Sequence, residues 1–138
     1  MVDGRADLPV GTGRPGQPEP RIDRQVGALG RFGQFQRLAG VVEKGGAVAL
    51  ARCRDSGGAL GAGLYSPPLE GVTEIAAIGV REEARGRGIG GAVTALLADH
   101  AFVQGVSFPF LMTASGNENR VYGRAGFHRF GELIGVTR

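Results

Sequence analysis

Four glycines fall within the six residues 86–91, in the segment Arg85-Gly-Arg-Gly-Ile-Gly-Gly91, and no other stretch limits the fold as strongly. Before it stands the apolar run VTEIAAIGV (72–80), and after it an apolar series at helical spacing begins at Ile89. The order is strand, Gly-rich loop, helix. The first N–H groups of a helix have no internal partner, and the helix dipole puts partial positive charge there. Glycines let successive N–H groups converge on one anion without side-chain obstruction. The segment therefore points to a phosphate or pyrophosphate site flanked by Arg85 and Arg87. No Lys-Ser/Thr follows the glycines, so it is not a P-loop, and it is not the dinucleotide pattern G-x-G-x-x-G. The competing reading is a Gly-rich turn with solvated arginines.

The chain around this segment has 138 residues, room for one compact domain. Residues 1–25, with GTGRPGQPEPR, have no apolar period and read as a disordered tail, leaving 26–138 as the domain. Apolar residues from Val26 to Val42, spaced largely by threes, suggest a helix that four glycines weaken. AVALARC (47–53), the turn DSGG, and ALGAGLYS (59–66) form a hairpin, and 72–80 is the third strand of the series. Residues 89–104 are helical, with Ile89, Val93, Leu96, Leu97, His100 and Val103 on one face. VSFPFLMTA (106–114) is a strand that Pro109 confines to an edge or a bulge. A short helix follows at 117–125, and FHRFGELIGV is a final strand. The order β-β-β-α-β-α-β is an α/β sandwich with a mixed sheet.

Composition excludes several functions. A single cysteine, Cys53, rules out an internal disulfide framework and a thiolate-cage zinc site; with only His100 and His128 besides, no metal site is expected. No apolar stretch of membrane-spanning length and no secretion signal is visible, which suggests a cytoplasmic protein. The net charge of +3 suits an anionic ligand and is too small to demand nucleic acid. His100 lies on the apolar helical face and reads as a hydrogen-bonded core residue, His128 as surface, Cys53 as a small buried hydrophobe. Glu82 and Glu83 read as a solvated turn.

Two ordered motifs carry a family resemblance. Arg85-x-x-Gly88-x-Gly90, after a strand ending at Val80, resembles the acetyl-CoA-binding motif of the GNAT superfamily of N-acetyltransferases. Downstream, Asn117-Glu-Asn119-Arg-Val-Tyr122-x-x-x-Gly126-Phe127 is similar to that family's Asn-containing turn, Tyr-bearing helix and Gly-Phe step. The resemblance covers about residues 46–138. It implies a sheet whose strands 72–80 and 106–113 splay apart to admit acetyl-CoA. The N–H groups of Gly86, Arg87, Gly88, Ile89 and Gly90 would hold the pyrophosphate. The backbone of Ile78, Gly79 and Val80 would pair with the pantetheine arm, and the Val80 N–H would polarise the thioester carbonyl. Glu74, eleven residues before Arg85, would be the base for a primary amine acceptor, and Tyr122 the acid for the leaving thiolate. Asn117 and Asn119 would bond the pantetheine amides. Each role has a plainer alternative: a surface carboxylate for Glu74, a packing aromatic for Tyr122, and helix capping for the asparagines, at least as good for Asn117.

The sequence departs from the family before the hairpin, where about 45 residues leave room for one helix rather than a strand and two. It also stops one strand after Gly126-Phe127. The acceptor half therefore reads as shortened, and a homodimer is one way to complete it. The expectation is an N-acetyltransferase that moves an acetyl group from acetyl-CoA to a small-molecule or peptide amine. The alternative is a non-catalytic GNAT-like module that binds acyl-CoA or a partner. A nucleic-acid role for Arg-Gly-Arg-Gly ranks last.

Overall fold

The computed structural model describes residues 20–23, 33–114 and 116–135. Along the chain run β1 (Pro20–Asp23), α1 (Gly33–Glu43), β2 (Ala47–Cys53), β3 (Ala59–Tyr65), β4 (Val72–Val80), α2 (Ile89–Val103), β5 (Phe108–Phe110) and α3 (Gly116–Arg124). A 3₁₀ turn at Glu82–Ala84 joins β4 to the loop before α2. The sheet has the order β1-β2-β3-β4-β5; every neighbouring pair is antiparallel except β4 and β5, which are parallel.

One face of the sheet packs on α2. Ala47, Ala49 and Ala51 of β2, Tyr65 of β3 and Ile75 of β4 are buried there with Ile89, Val93, Leu96, Leu97 and Ala101 of the helix. Small residues bring the helix close. A Cβ on Gly63 would lie 3.0 Å from Val93 Cγ1 and 3.1 Å from Leu97 Cδ1, and would also strike Ile78 Cδ1. Tyr65 is fully buried, and its hydroxyl bonds Nδ1 of His100 on α2 at 2.9 Å. His100 is thus the core histidine its helical position suggested. The helix ends at Gly105, whose φ of +89° lets the Val106 N–H reach the Ala101 carbonyl at 3.0 Å.

β2 and β4 match their expected spans, and β3 and both later helices agree within a residue at each end. Four expectations need correction. Residues 20–23, inside the stretch read as a disordered tail, pair with β2; Pro20 opens an edge strand, where its missing N–H costs nothing. The rest of residues 1–25 lies outside the described residues, as does the first part of the helix expected from Val26. The strand expected over 106–114 is cut to Phe108–Phe110, because β4 gives it a partner only over Val72–Glu74. The described part of the expected final strand, 127–135, is neither helix nor strand. Val103, assigned to the buried face of α2, is exposed.

Candidate functional site

β4 changes character halfway along. Before residue 77 it pairs with β3 as Tyr65 with Ile75 and Leu64 with Ala76; beyond it, as Ala62 with Gly79 and Gly61 with Val80. One extra residue is therefore inserted in β4, and Ala77 carries it in the left-handed region at φ +55°. The bulge reverses the alternation of side chains. Thr73 and Ile75 point to α2 before it; Ile78 and Val80 do so after it, packing beside Gly90 of the helix.

The bulge also sets which backbone groups are free. The Arg81 N–H donates to the Leu60 carbonyl at 2.8 Å, so Arg81 is hydrogen-bonded to β3. Antiparallel ladders alternate, so Gly79 also bonds β3, whereas Ile78 and Val80 turn their N–H and C=O groups to the opposite edge. That edge would face β5, but the parallel pairing stops at Glu74. Ile78 and Val80 thus present backbone groups to an open wedge between β4 and β5. Gly79 offers the wedge no backbone polar group; its contribution is a missing Cβ over open space.

The Gly-rich loop closes the C-terminal end of this wedge. Gly86 and Gly88 both have positive φ, +73° and +78°, conformations that a side chain would strain. The first bond of α2 runs from the Ala92 N–H to the Gly88 carbonyl at 3.0 Å. Hence the N–H groups of Ile89, Gly90 and Gly91 have no carbonyl of the helix within reach. Arg85 turns back, its Nε donating to the Val80 carbonyl at 3.3 Å, and so ties the loop to the end of β4. Among the described residues this loop is where three consecutive N–H groups at a helix start, two left-handed glycines and two arginines coincide, a set suited to a pyrophosphate.

α3 stands beside the loop. Gly91 in the first turn of α2 lies under Val121, and Tyr122 follows it. Tyr122 is half-buried, and burial, with a smaller contribution from the Glu118 charge one turn earlier, pushes its phenol above the ordinary value of 10.0. Its protonated form is therefore the resting form at neutral pH. Gly126 ends the helix, and the Phe127 N–H returns to the Tyr122 carbonyl at 3.1 Å. The asparagines act differently from each other. Asn119 accepts the Thr113 hydroxyl at 2.7 Å, while Glu118 accepts the Ala114 N–H at 2.8 Å; together they fasten the helix entry. Asn117 is exposed and lies inside the helix, one residue past its start.

Glu74 is at the other end of β4, up to about 20 Å from Val80 along the strand. It is half-buried on the sheet face away from α2, and Phe110 is its lateral partner on β5. Both its backbone groups are bonded to Ser66, just beyond β3: its carbonyl accepts the Ser66 N–H at 2.9 Å, and its N–H donates to Ser66 Oγ at 3.2 Å. Glu74 and the loop are thus not in contact; the open edge of β4 joins them. The bulge at Ala77, which makes that edge, escaped sequence reasoning because nothing in Ala-Ala-Ile-Gly demands a positive φ.

A mixed sheet opened beside a bulged strand, with a Gly-rich loop at the start of the helix after it, is the arrangement that the resemblance to the GNAT superfamily implies. The sequence matches the model of the Acetyltransferase (GNAT) family over residues 17–127. The chain belongs to that family, and as an enzyme it is a GNAT-type N-acetyltransferase. Solved structures share the fold at low identity. Glucosamine-6-phosphate N-acetyltransferase from Arabidopsis thaliana superposes with a TM-score of 0.63 at 17% identity, over 75% of this chain and 74% of that one. An acetyltransferase from Trypanosoma brucei gives 0.63 at 18%, over 75% and 77%. AAC(6')-Iy, in complex with a bisubstrate analog joining CoA to acetylneamine, gives 0.61 at 19%, over 80% and 82%. No curated protein sequence matches the chain. No helix among the described residues is long and apolar enough to cross a membrane.

Proposed function

We propose that the chain transfers an acetyl group from acetyl-CoA directly to a primary amine, with Glu74 as base and Tyr122 as acid. The single observation that carries this reading is the open edge of β4, toward which the Ile78 and Val80 N–H groups turn, with the anion loop at its end. The residues present fit acetyl-CoA. The Ile89, Gly90 and Gly91 N–H groups, together with the loop of Gly86, Arg87 and Gly88, suit the pyrophosphate, and Ile78 and Val80 suit the amides of an extended pantetheine arm. When bound, acetyl-CoA supplies a thioester carbonyl open to attack by a neutral amine.

The remaining chemistry falls to the chain. Of the two N–H groups in the wedge, that of Ile78 lies farther from the anion loop and nearer Glu74, and it, rather than that of Val80, is placed to donate to the oxygen that gains charge during attack. An alkylammonium is almost wholly charged at pH 7, so a base must take its proton. Glu74 does so from the sheet face through bridging water, since four residues of strand separate it from Ile78. Tyr122, kept protonated by burial, returns a proton to the departing thiolate. Arg85 holds the loop in register with the strand through Nε, which leaves its Nη groups to meet phosphate. Asn119, engaged with Thr113, positions α3, which leaves Asn117 as the asparagine free to meet the cofactor. The protein acts in the cytoplasm; a homodimer, if formed, adds to the acceptor side.

Release of the coenzyme A thiol, followed by a disulfide reagent, tests the roles. Glu74→Gln and Tyr122→Phe should each lower kcat by about a hundredfold or more, with the affinity for acetyl-CoA unchanged. Unchanged rates in both variants would remove both assignments. Binding of acetyl-CoA with no product from any amine would favour a non-catalytic module instead.

A further inference from the structure

The surroundings of Glu74 narrow the acceptor, and this step rests on the transferase reading above. β3, β4 and β5 read ALGAGLY, VTEIAAIGV and FPF, so Glu74 is the one charged side chain on these three strands. Its neighbours on the sheet face away from α2 are Phe110 beside it, Val72 and Ala76 two residues either way, and Phe108 beside Val72. Val72 and Phe108 are 40% and 46% exposed, an unusual state for a cross-strand pair of large apolar residues.

The apolar surface continues beyond the pair. Leu69 and Val72 exchange backbone hydrogen bonds at 2.9 Å across a tight turn, and Leu69 is exposed. Phe130 meets Phe108 edge to face, with ring centroids 5.8 Å apart. Glu70, the other carboxylate nearby, is exposed in the turn between Leu69 and Val72, outside the strand row. A single carboxylate is therefore set in a strip of phenyl and aliphatic side chains.

We propose that the acceptor is a primary amine carried on an aromatic or aliphatic body. Its ammonium meets Glu74 and the face of Phe110, and its body lies along Val72 and Phe108. An ammonium next to a carboxylate and an aromatic face gains from both charge and ring quadrupole. The body gains by covering apolar surface that water otherwise wets. A polyhydroxylated amino sugar or a polyamine would instead press hydroxyls or further charges onto phenyl rings, where the one hydroxyl bonded beside Glu74, that of Ser66, is already engaged with Thr73 and the Glu74 N–H.

The test compares acceptors at saturating acetyl-CoA: 2-phenylethylamine and n-hexylamine against spermidine, glucosamine 6-phosphate and methylamine. The expected result is a kcat/KM at least tenfold higher for the first two. Phe108→Ser, at a half-exposed site that tolerates change, should raise KM for 2-phenylethylamine about tenfold while leaving kcat, acetyl-CoA affinity and the methylamine rate in place. Equal or better use of spermidine or glucosamine 6-phosphate overturns this inference and leaves the transferase reading standing. A Phe108-dependent dimer that blocks amine binding also overturns it, since the strip would then belong to a second copy. Acetyl-CoA binding with no transfer to any of the five amines overturns the transferase reading and this inference together.

Discussion

Gly63→Ala probes the seat of α2 on β3, on which the wedge depends. The added methyl would meet Val93 Cγ1 at 3.0 Å, Leu97 Cδ1 at 3.1 Å and the Ile78 Cδ1 methyl more closely still. Val93 is fully buried and Leu97 nearly so, which leaves neither room to retreat. Overpacking of this kind costs about 1–3 kcal/mol. Against it, replacing a strand glycine lowers the entropy of the unfolded chain, worth roughly 0.4–1 kcal/mol. The net expectation is a loss of about 1–2 kcal/mol, seen in urea as a lower midpoint at constant slope. Gly79→Ala is the paired control: its Cβ would meet nothing within 4 Å, so its midpoint should hold or rise. The variant also presses on Ile78, whose backbone lines the wedge, so acetyl-CoA affinity should fall with stability. A Gly63→Ala protein as stable as the parent would refute the close contact of α2 with β3.

Other consequences follow from individual groups. The raised phenol of Tyr122 places its loss of activity on the alkaline side of the ordinary tyrosine value of 10.0, so kcat should hold through neutral pH and fall only above it; Tyr122→Phe should abolish that limb. The same shift has a stability sign. Between the unfolded and folded values the unfolded chain binds fewer protons, so stability falls as pH rises through that window, and denaturation at graded alkaline pH should show it. Tyr65→Phe removes the bond to His100 from a fully buried site and should cost about 1–2 kcal/mol in urea denaturation, with little effect on acetyl-CoA affinity. Cys53 is buried, and hydrogen bonds, chiefly from the Ser56 side chain, lower its thiol pKa; Ser56→Ala should raise it and slow alkylation at pH 8, whereas an unchanged rate would remove that bond from the account.

Much of the fold was legible because it rests on local composition. The apolar runs 47–53 and 72–80 have strand length and β-compatible composition, and the period from Ile89 stops at Gly105. The turn at 85–91 was legible for the same reason, and Gly86 and Gly88 take left-handed φ there between strand and helix. What escaped depends on partners distant in sequence. The bulge at Ala77 arises from how β4 meets β3, and alanine gives no sign of a left-handed φ. FHRFGELIGV has strand composition, yet its described part pairs with no described strand: Phe130 meets Phe108 of β5 by its ring, and Phe130, Leu133 and Ile134 remain exposed. Arg85 reads as a phosphate ligand, and the fold adds that its Nε also reaches the Val80 carbonyl. β1 was hidden by the prolines around it, although an edge strand accepts one at its first position.

The central claim is that acetyl-CoA lies along the open edge of β4 with its pyrophosphate at the start of α2. At 14.3 kDa the protein suits amide-resolved NMR titration. On addition of acetyl-CoA, the account predicts large shifts at the N–H groups of Ile78, Val80, Ile89, Gly90 and Gly91, with protection from exchange at Ile78 and Val80. Gly79 and Arg81, already bonded to β3, should move far less. Shifts confined to other surfaces, or an alternation in which Gly79 and Arg81 respond while Ile78 and Val80 stay still, would contradict it.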